Sequence, residues 1–447
     1  MASPPLALGF VPIARTTFDV PLAEQVTAGA RAALAAAGYA LIGPDALVTS
    51  ADEAAAAAAQ LAAQPLDLLI VFQATFADST MLMTLAEHVD APPLLWAMPE
   101  APTGGRLRLN SLCGITLGAH ALTRAGRRYA TVCAAPDDPA ALAHVDAVGR
   151  AGRVRRRLRG ARIGRVGEHP EGFETCIPHP VALHKRFGVE LVQMALEDVF
   201  AGARKANPDT VDALYESLHG RVGGLDEVDE GALRGTLATY VTLREAAARE
   251  RLAGYAVRCW PQFFTDLGCA ACGALGLLAD DLTPASCEAD VNGTVTQLIL
   301  QEISGEPAFD SDVVSFDMEQ NTAVLWHCGK APLSMADPQF QPRATIHSNR
   351  HLPLLLEFPL RPGVVTLARL SEATGEFRLV VGRGEVLRAP ISFGGTSGVV
   401  RFERPARDVL DTILSQGLEH HLALIYGDHV EALLALAHML DLPVLRL

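Results

Sequence analysis

Apolar positions in this chain fall first into short unbroken runs. Residues 6–13, 67–72 and 94–96 are such runs, of the length of strands buried on both faces and too short to form helices of their own. Between them, residues 22–37 repeat apolar positions at helical spacing, and the alanine-rich stretch 51–63 has high helix propensity. Residues 130–133 read as a further strand. This alternation predicts a parallel sheet covered by helices on both faces, with a ligand crevice beyond the carboxyl ends of the strands.

The pattern repeats once and then changes. From residue 161 a new strand runs to a glycine-containing turn, a helix is expected over 192–203, and 255–258 reads as a strand closed by Pro261. Gly164 and Gly167 form too short a glycine pattern to predict a nucleotide cofactor. From about residue 306 the runs shorten to 352–358, 364–370, 376–381, 385–389 and 399–403, separated by Gly, Pro, Asn and Ser. That spacing predicts an antiparallel sheet or small barrel, closed by a helix at 408–416, a strand at 422–426 and a helix at 430–440. The expected fold is α/β: two doubly wound, Rossmann-like parallel-sheet domains (1–160 and 161–305) followed by a C-terminal antiparallel β-barrel-like domain (306–447). The basic run 153–165 is expected as a solvated linker between the first two.

Chemistry-bearing residues gather at segment ends, where sites are built. Residues 287–329 place Glu288 and Asp290 at the entrance of an apolar helix, with Val295, Leu298, Ile299 and Ile303 at helical spacing. Asp312 follows the next turn, and the run 322–326 delivers His327 from a buried strand. Carboxylates beside apolar elements cost free energy unless paired or bound to a cation. A hard divalent ion is one explanation; a helix cap at Glu288 or Asp290 is the simpler one. His420 and His421 stand at a strand entrance, where alternation turns one ring inward and the other outward. An inward imidazole with a fixed tautomer suits a first-row metal; the simpler reading is a pair of hydrogen-bonding histidines with no metal.

Composition narrows the classes. The 447 residues are 49% hydrophobic and 20% charged, enough for several cores. A formal net charge of −14 argues against nucleic acid and anionic membrane as partners and favours a small molecule. No apolar run reaches the length of a membrane span, and no basic leader precedes the first apolar run, so a cytoplasmic protein is expected. Eight scattered cysteines fit a reducing compartment. Cys269 and Cys272 have the spacing of a metal or redox pair, but no second pair completes it, and structural thiols are expected.

Taken together, the C-E-A-D-V-N-G motif at 287–293, F-D-S-D-V at 309–313 and H-C-G at 327–329 resemble the L-fucose isomerase and L-arabinose isomerase superfamily. Gly172-Phe173, Arg186-Phe187-Gly188, C-W-P at 259–261 and the His pair look like further landmarks. The resemblance implies one catalytic divalent ion, manganese, with magnesium or cobalt as alternatives, held by Glu288, Asp312 and His421. Glu288 and Asp312 then double as the acid/base pair of an aldose–ketose isomerase working through an enediolate. Arg15, Asp290, His327 and His420 become substrate contacts, and Lys330 a contact for an anionic sugar substituent. It also implies a homotrimer or homohexamer, with Arg15 given to a neighbouring subunit's site. The rival readings are a non-catalytic sugar-binding protein and a metal-dependent epimerase or lyase of sugar acids.

Overall fold

The computed structural model describes residues 5–447. It forms two compact units, one holding the chain up to Arg157 together with Glu431–Asp441, the other Leu158–Val430 with Leu442–Leu447. Among the described residues no helix is long and apolar enough to cross a membrane.

In the first unit β1 (Ala7–Ile13), α1 (Val20–Ala36), β2 (Ala40–Ile42), α2 (Ala51–Ala62), β3 (Leu68–Gln73), α3 (Ser79–His88), β4 (Pro93–Ala97), α4 (Ser111–Arg124), β5 (Ala130–Cys133) and α5 (Pro139–Leu158) alternate. The strands form one parallel sheet in the order β2-β1-β3-β4-β5. The apolar runs have a direct cause here. Leu69, Val71 and Leu95 pack into the core on one face, while Leu68, Ile70, Phe72, Leu94 and Trp96 pack into the core on the other. With both faces covered, period-two alternation disappears into a continuous run.

The basic run departs from the solvated linker expected of it. Arg153, Arg155, Arg156 and Arg157 lie in the last turns of α5, where positive charge favours a helix terminus. Arg156 bonds the buried carboxylate of Asp67 at 2.7 Å, Arg153 stands 3.7 Å from its other oxygen, and Arg155 pairs with Asp90. The residues stay helical because the ion pairs fix them to the end of the sheet.

The second unit continues with β6 (Arg162–Val166), α6 (Pro180–Phe187), β7 (Glu190–Met194), α7 (Leu196–Lys205), α8 (Pro208–Leu218), α9 (Glu230–Glu250), β8 (Gly254–Val257), α10 (Cys272–Asp280), β9 (Ala285–Ser286) and α11 (Val291–Ser304). Its parallel sheet runs β7-β6-β8-β9. The helix expected over 192–203 begins later, because Val192 is paired with Gly164 in β7. Then come β10 (Phe309–Asp317), β11 (Thr322–His327), β12 (Arg343–Thr345), β13 (Leu355–Pro359), β14 (Gly363–Ser371), β15 (Arg378–Leu387), β16 (Thr396–Phe402), α12 (Ala406–Ser415) and β17 (His421–Tyr426). The chain ends with α13 (Val430–Met439) and β18 (Val444–Arg446). Strands β16-β11-β10-β17-β14-β15 close on themselves through antiparallel pairing of β15 with β16, giving a six-stranded barrel.

Helix α11 packs against β8 of the parallel sheet and β14 and β17 of the barrel. It is buried almost all round, as a helix between two sheets must be. Its buried polar side chains bond to both layers: Thr294 donates to the Tyr255 carbonyl, Thr296 accepts from the Leu370 N–H, and Gln297 donates to Ser286, while the Asn292 and Gln297 amide oxygens have no partner among the described residues.

A methyl group at Gly152 of α5 would sit 1.8 Å from the Asp67 carbonyl oxygen, a backbone atom with little room to yield. Gly152→Ala is therefore expected to destabilise the first unit by about 2–3 kcal/mol. Urea denaturation checks this, and a wild-type midpoint would contradict the packing.

Candidate active site

The side chains that matter lie in the second unit and come from four places. Glu288 lies in a two-residue kink between β9 and α11, in which Glu288 and Ala289 both have left-handed backbone, φ 57° and 55°, and Asp290 follows it. Such residues are strained by about 1–3 kcal/mol each. The kink is held by the Ala289 N–H bonding the Val257 carbonyl and by complete burial of the Ala289 methyl group. It turns Glu288 one way while Asp290 caps α11 by accepting from the Gly293 N–H.

Asp312 and His421 are partners in the β10–β17 register. His421 is 1% exposed, while the side chain of His420 is 34% exposed. His421 Nδ1 donates to Asp290 Oδ2 at 2.9 Å. Its Nε2 then faces Asp312 Oδ1 at 3.7 Å, Glu288 Oε2 at 3.8 Å and Cys287 Sγ at 3.6 Å. Glu288 accepts from Trp260 Nε1 at 3.1 Å and bonds His420 Nε2 at 2.9 Å, and His420 Nδ1 meets Thr175 Oγ1 at 2.8 Å. Phe173 packs edge-on against both Trp260 and His420.

Beneath this lies a buried ion pair. Arg369 of β14, 2% exposed, grips Asp290 with Nη1 at 2.5 Å and Nη2 at 3.0 Å, and Glu419 stands 3.8 Å from its Nε. Burial would raise the Asp290 pKa, but Arg369 and the hydrogen bond from His421 hold it well below the usual carboxylate range. Burial would likewise lower His421, and the bond to Asp290 with the nearby carboxylates holds it above an ordinary imidazole. Glu288, resisting burial through His420, His421 and Trp260, is held down. Asp312 goes the other way, raised chiefly by burial and further by Glu288 and Asp310 against the two imidazoles. Two carboxylates with opposed shifts beside one imidazole are the arrangement that general acid/base chemistry needs.

Asp312 Oδ1 is buried and has no hydrogen-bond partner among the described residues. A carboxylate oxygen left so carries a desolvation cost that a cation would offset. Cys176, Glu288, His420 and His421 each place a ligand atom within 4.8 Å of the others, and so do Cys287, His327 and His421; Asp312 belongs to neither set and meets them through His421. The second set is chemically closed. His327 Nδ1 accepts from the Cys328 N–H at 2.8 Å, so its Nε2 carries the proton that points at Cys287 Sγ, 2.9 Å away. Burial raises the Cys287 and Cys176 thiols far above their ordinary range, and soft sulfur is a poor match for a hard ion. What remains for a hard ion is His421 Nε2 with the oxygens of Glu288 and Asp312.

Three further candidates lie in the interior. Asp290 and His327, expected to meet substrate hydroxyls, are buried with their polar atoms engaged by the protein itself. Lys330, expected to meet an anionic substituent, is 2% exposed and bonded to Asp310 and the Ala285 carbonyl. Cys269 and Cys272, expected as structural thiols, are free and buried, and Cys272 Sγ lies 3.2 Å from Cys328 Sγ. Arg15, in the first unit, follows β1, pairs with Asp78 at 2.6 Å and keeps its side chain 46% exposed. Arg369, Trp260 and Thr175 had no assigned role in the sequence reading. A lone arginine inside the apolar run 364–370 was the available signal for the first, since a charge there must be paired.

A closed barrel that sets Asp312 and His421 on adjoining strands, with Glu288 brought up from the kink before α11, is the site of an aldose–ketose isomerase, the class that the comparisons with known proteins show. Family models agree at both ends, the fucose/sulfoquinovose isomerase N-terminal domain matching residues 9–150 and the L-fucose isomerase C-terminal domain matching 325–447. The sulfoquinovose isomerase of Priestia aryabhattai is 33% identical over 435 residues, covering 97% of each chain. That of Alkalicoccus urumqiensis is 31% identical over 443 residues, 99% of each, and that of Clostridium sp. (strain MSTE9) is 33% identical over 379 residues, 84% of this chain and 85% of its own. The chain belongs to the fucose/sulfoquinovose isomerase family.

Removing Arg369 strands Asp290 as a buried, unpaired charge. Arg369→Met is expected to cost about 3–5 kcal/mol, read as a loss of denaturation free energy in urea. A variant as stable as wild type would show that the pair does not anchor the site.

Proposed function

We propose that this enzyme interconverts sulfoquinovose, a glucose whose C6 hydroxyl is replaced by a sulfonate, with the corresponding 2-ketose, and that it does so with a divalent ion, manganese foremost. The substrate reading is supported by the relatives of that name, which align over nearly the whole chain. The ion reading rests on one observation above the others: the orphaned Asp312 oxygen faces an imidazole nitrogen whose ring is locked from behind by Asp290.

Isomerisation moves one proton from C2 to C1 and another between the two oxygens. His421, Glu288 and Asp312 would hold the ion, which when bound supplies the positive charge that makes the C2 hydrogen acidic. Asp312 takes the C2 proton on the carboxylate oxygen that is not given to the ion and returns it at C1. Glu288, kept ionised by His420 and Trp260, accepts the hydroxyl proton and passes it to the neighbouring oxygen. Asp290 and Arg369 touch neither atom. They fix the tautomer and tilt of His421. We also propose a homotrimer or homohexamer in which Arg15 completes a neighbouring site, a reading that a monomer in light scattering would oppose.

After chelation, manganese at a hundredfold excess over its Kd is expected to add about 2.7 kcal/mol of stability to the wild type. The corresponding rise in melting temperature, a few degrees, should be absent in Glu288→Gln and Asp312→Asn. With the ion restored, Asp312→Asn should lose about 10²–10⁴-fold in kcat. Product analysis by chromatography completes the test: an epimer or a dehydrated acid in place of the ketose would refute isomerisation.

A further inference from the structure

A sulfonated sugar brings a permanent negative charge into the site at the end of the molecule remote from the reacting carbons. Lys330 is consumed by Asp310, and Arg369 by Asp290 and Glu419. Neither is open to a ligand.

Arg350 differs. Its guanidinium carbon lies 4.9 Å over the ring of Trp260 and 5.2 Å over that of Phe264. Among the described residues no carboxylate pairs with it. Stacking on aromatic faces holds a guanidinium in position while leaving the N–H groups of its fork available, and that fork matches the oxygens of a tetrahedral oxyanion.

The loop that carries it is built around one residue, His347. The carbonyl of His347, which is itself 8% exposed, accepts from the N–H groups of Arg350 and His351. The His347 N–H donates to the Leu352 carbonyl, and its Nδ1 accepts from the Asn349 N–H at 3.2 Å. The imidazole packs edge-on against Phe264 at 5.3 Å, one of the two rings beneath Arg350. His351, left-handed at φ 57°, turns the chain away immediately afterwards. Arg350 is thus presented by a fixed turn.

Trp260 connects this cation to the chemistry. Its N–H holds Glu288, and its face carries Arg350. One indole therefore touches both the carboxylate placed at C1 and C2 and the guanidinium of Arg350. Resting on the substrate proposed above, the geometry points to Arg350 as the residue that binds the C6 sulfonate and sets the preference for an anionic sugar over its neutral counterpart.

The test compares kcat/KM on sulfoquinovose and on D-glucose, which differ only in the C6 substituent, for wild type, Arg350→Gln and Arg350→Lys with manganese present. Wild type should prefer the sulfonated sugar. Arg350→Gln should lose about 10²–10³-fold on sulfoquinovose and change less than about threefold on glucose, with Arg350→Lys between the two because it keeps the charge and loses the fork. Methanesulfonate should inhibit wild type competitively and fail to inhibit Arg350→Gln. If wild type prefers sulfoquinovose and both variants keep that preference, Arg350 is not the sulfonate site and the substrate reading stands. If wild type turns over glucose better than sulfoquinovose, the substrate reading falls and this inference with it. Arg350→Lys decides the matter should Arg350→Gln fail to fold, since an unchanged preference there, with unchanged methanesulfonate inhibition, excludes bidentate recognition.

Discussion

One carboxylate, Asp290, ties together side chains from α11, β14 and β17. Its backbone position caps α11, its Oδ1 and Oδ2 receive Arg369 from β14, and Oδ2 also receives His421 from β17. Burying an arginine and an aspartate is not by itself a source of stability, because desolvation opposes the attraction. The pair is better understood as a register device. Slippage of β17 by one residue would turn His420 inward and His421 outward, leaving Asp290 without its second partner and the outer face with the wrong ring.

The same pair fixes the electronics above it. With Nδ1 committed to Asp290, the lone pair of neutral His421 can only be on Nε2, which points between Glu288 and Asp312. The carboxylates then diverge by surroundings alone. Glu288 sits among donors, from Trp260 and His420, and remains an anion; Asp312 has burial and few donors and is pushed toward protonation. The backbone strain at Glu288 and Ala289 fits this account: a relaxed turn would carry Glu288 away from both donors.

Much of the fold was legible in the sequence because the parallel strands have two buried faces and therefore write themselves as apolar runs. The antiparallel texture after residue 306 was readable from its turns, and the observed strands β13–β16 fall close to the runs. Other features were hidden for physical reasons. The basic run looked solvated because Asp67, its partner, is far away along the chain. In the site, acidic and imidazole residues at segment ends drew attention to the right stretch, but a sequence does not say whether a polar atom faces a cavity or another side chain. Asp290 and His327 carry the same residue types as Asp312 and His421, and differ from them only in what the barrel and α11 place opposite.

The contrast between Lys330 and Arg350 carries this furthest. Lysine is scarce in this chain, and the one near the H-C-G motif invited a role with an anion, yet its position just after β11 places it in the interior, where Asp310 must neutralise it. Arg350 has no motif about it and lies in a stretch of polar residues between two apolar runs. What distinguishes it is that the surface under its charge is aromatic, so the cation is held without being neutralised. A compact ammonium buried against a carboxylate has no valence left for a ligand. A planar guanidinium stacked on an indole keeps its donor edge, and that difference follows from the two side chains' geometry and not from their shared charge.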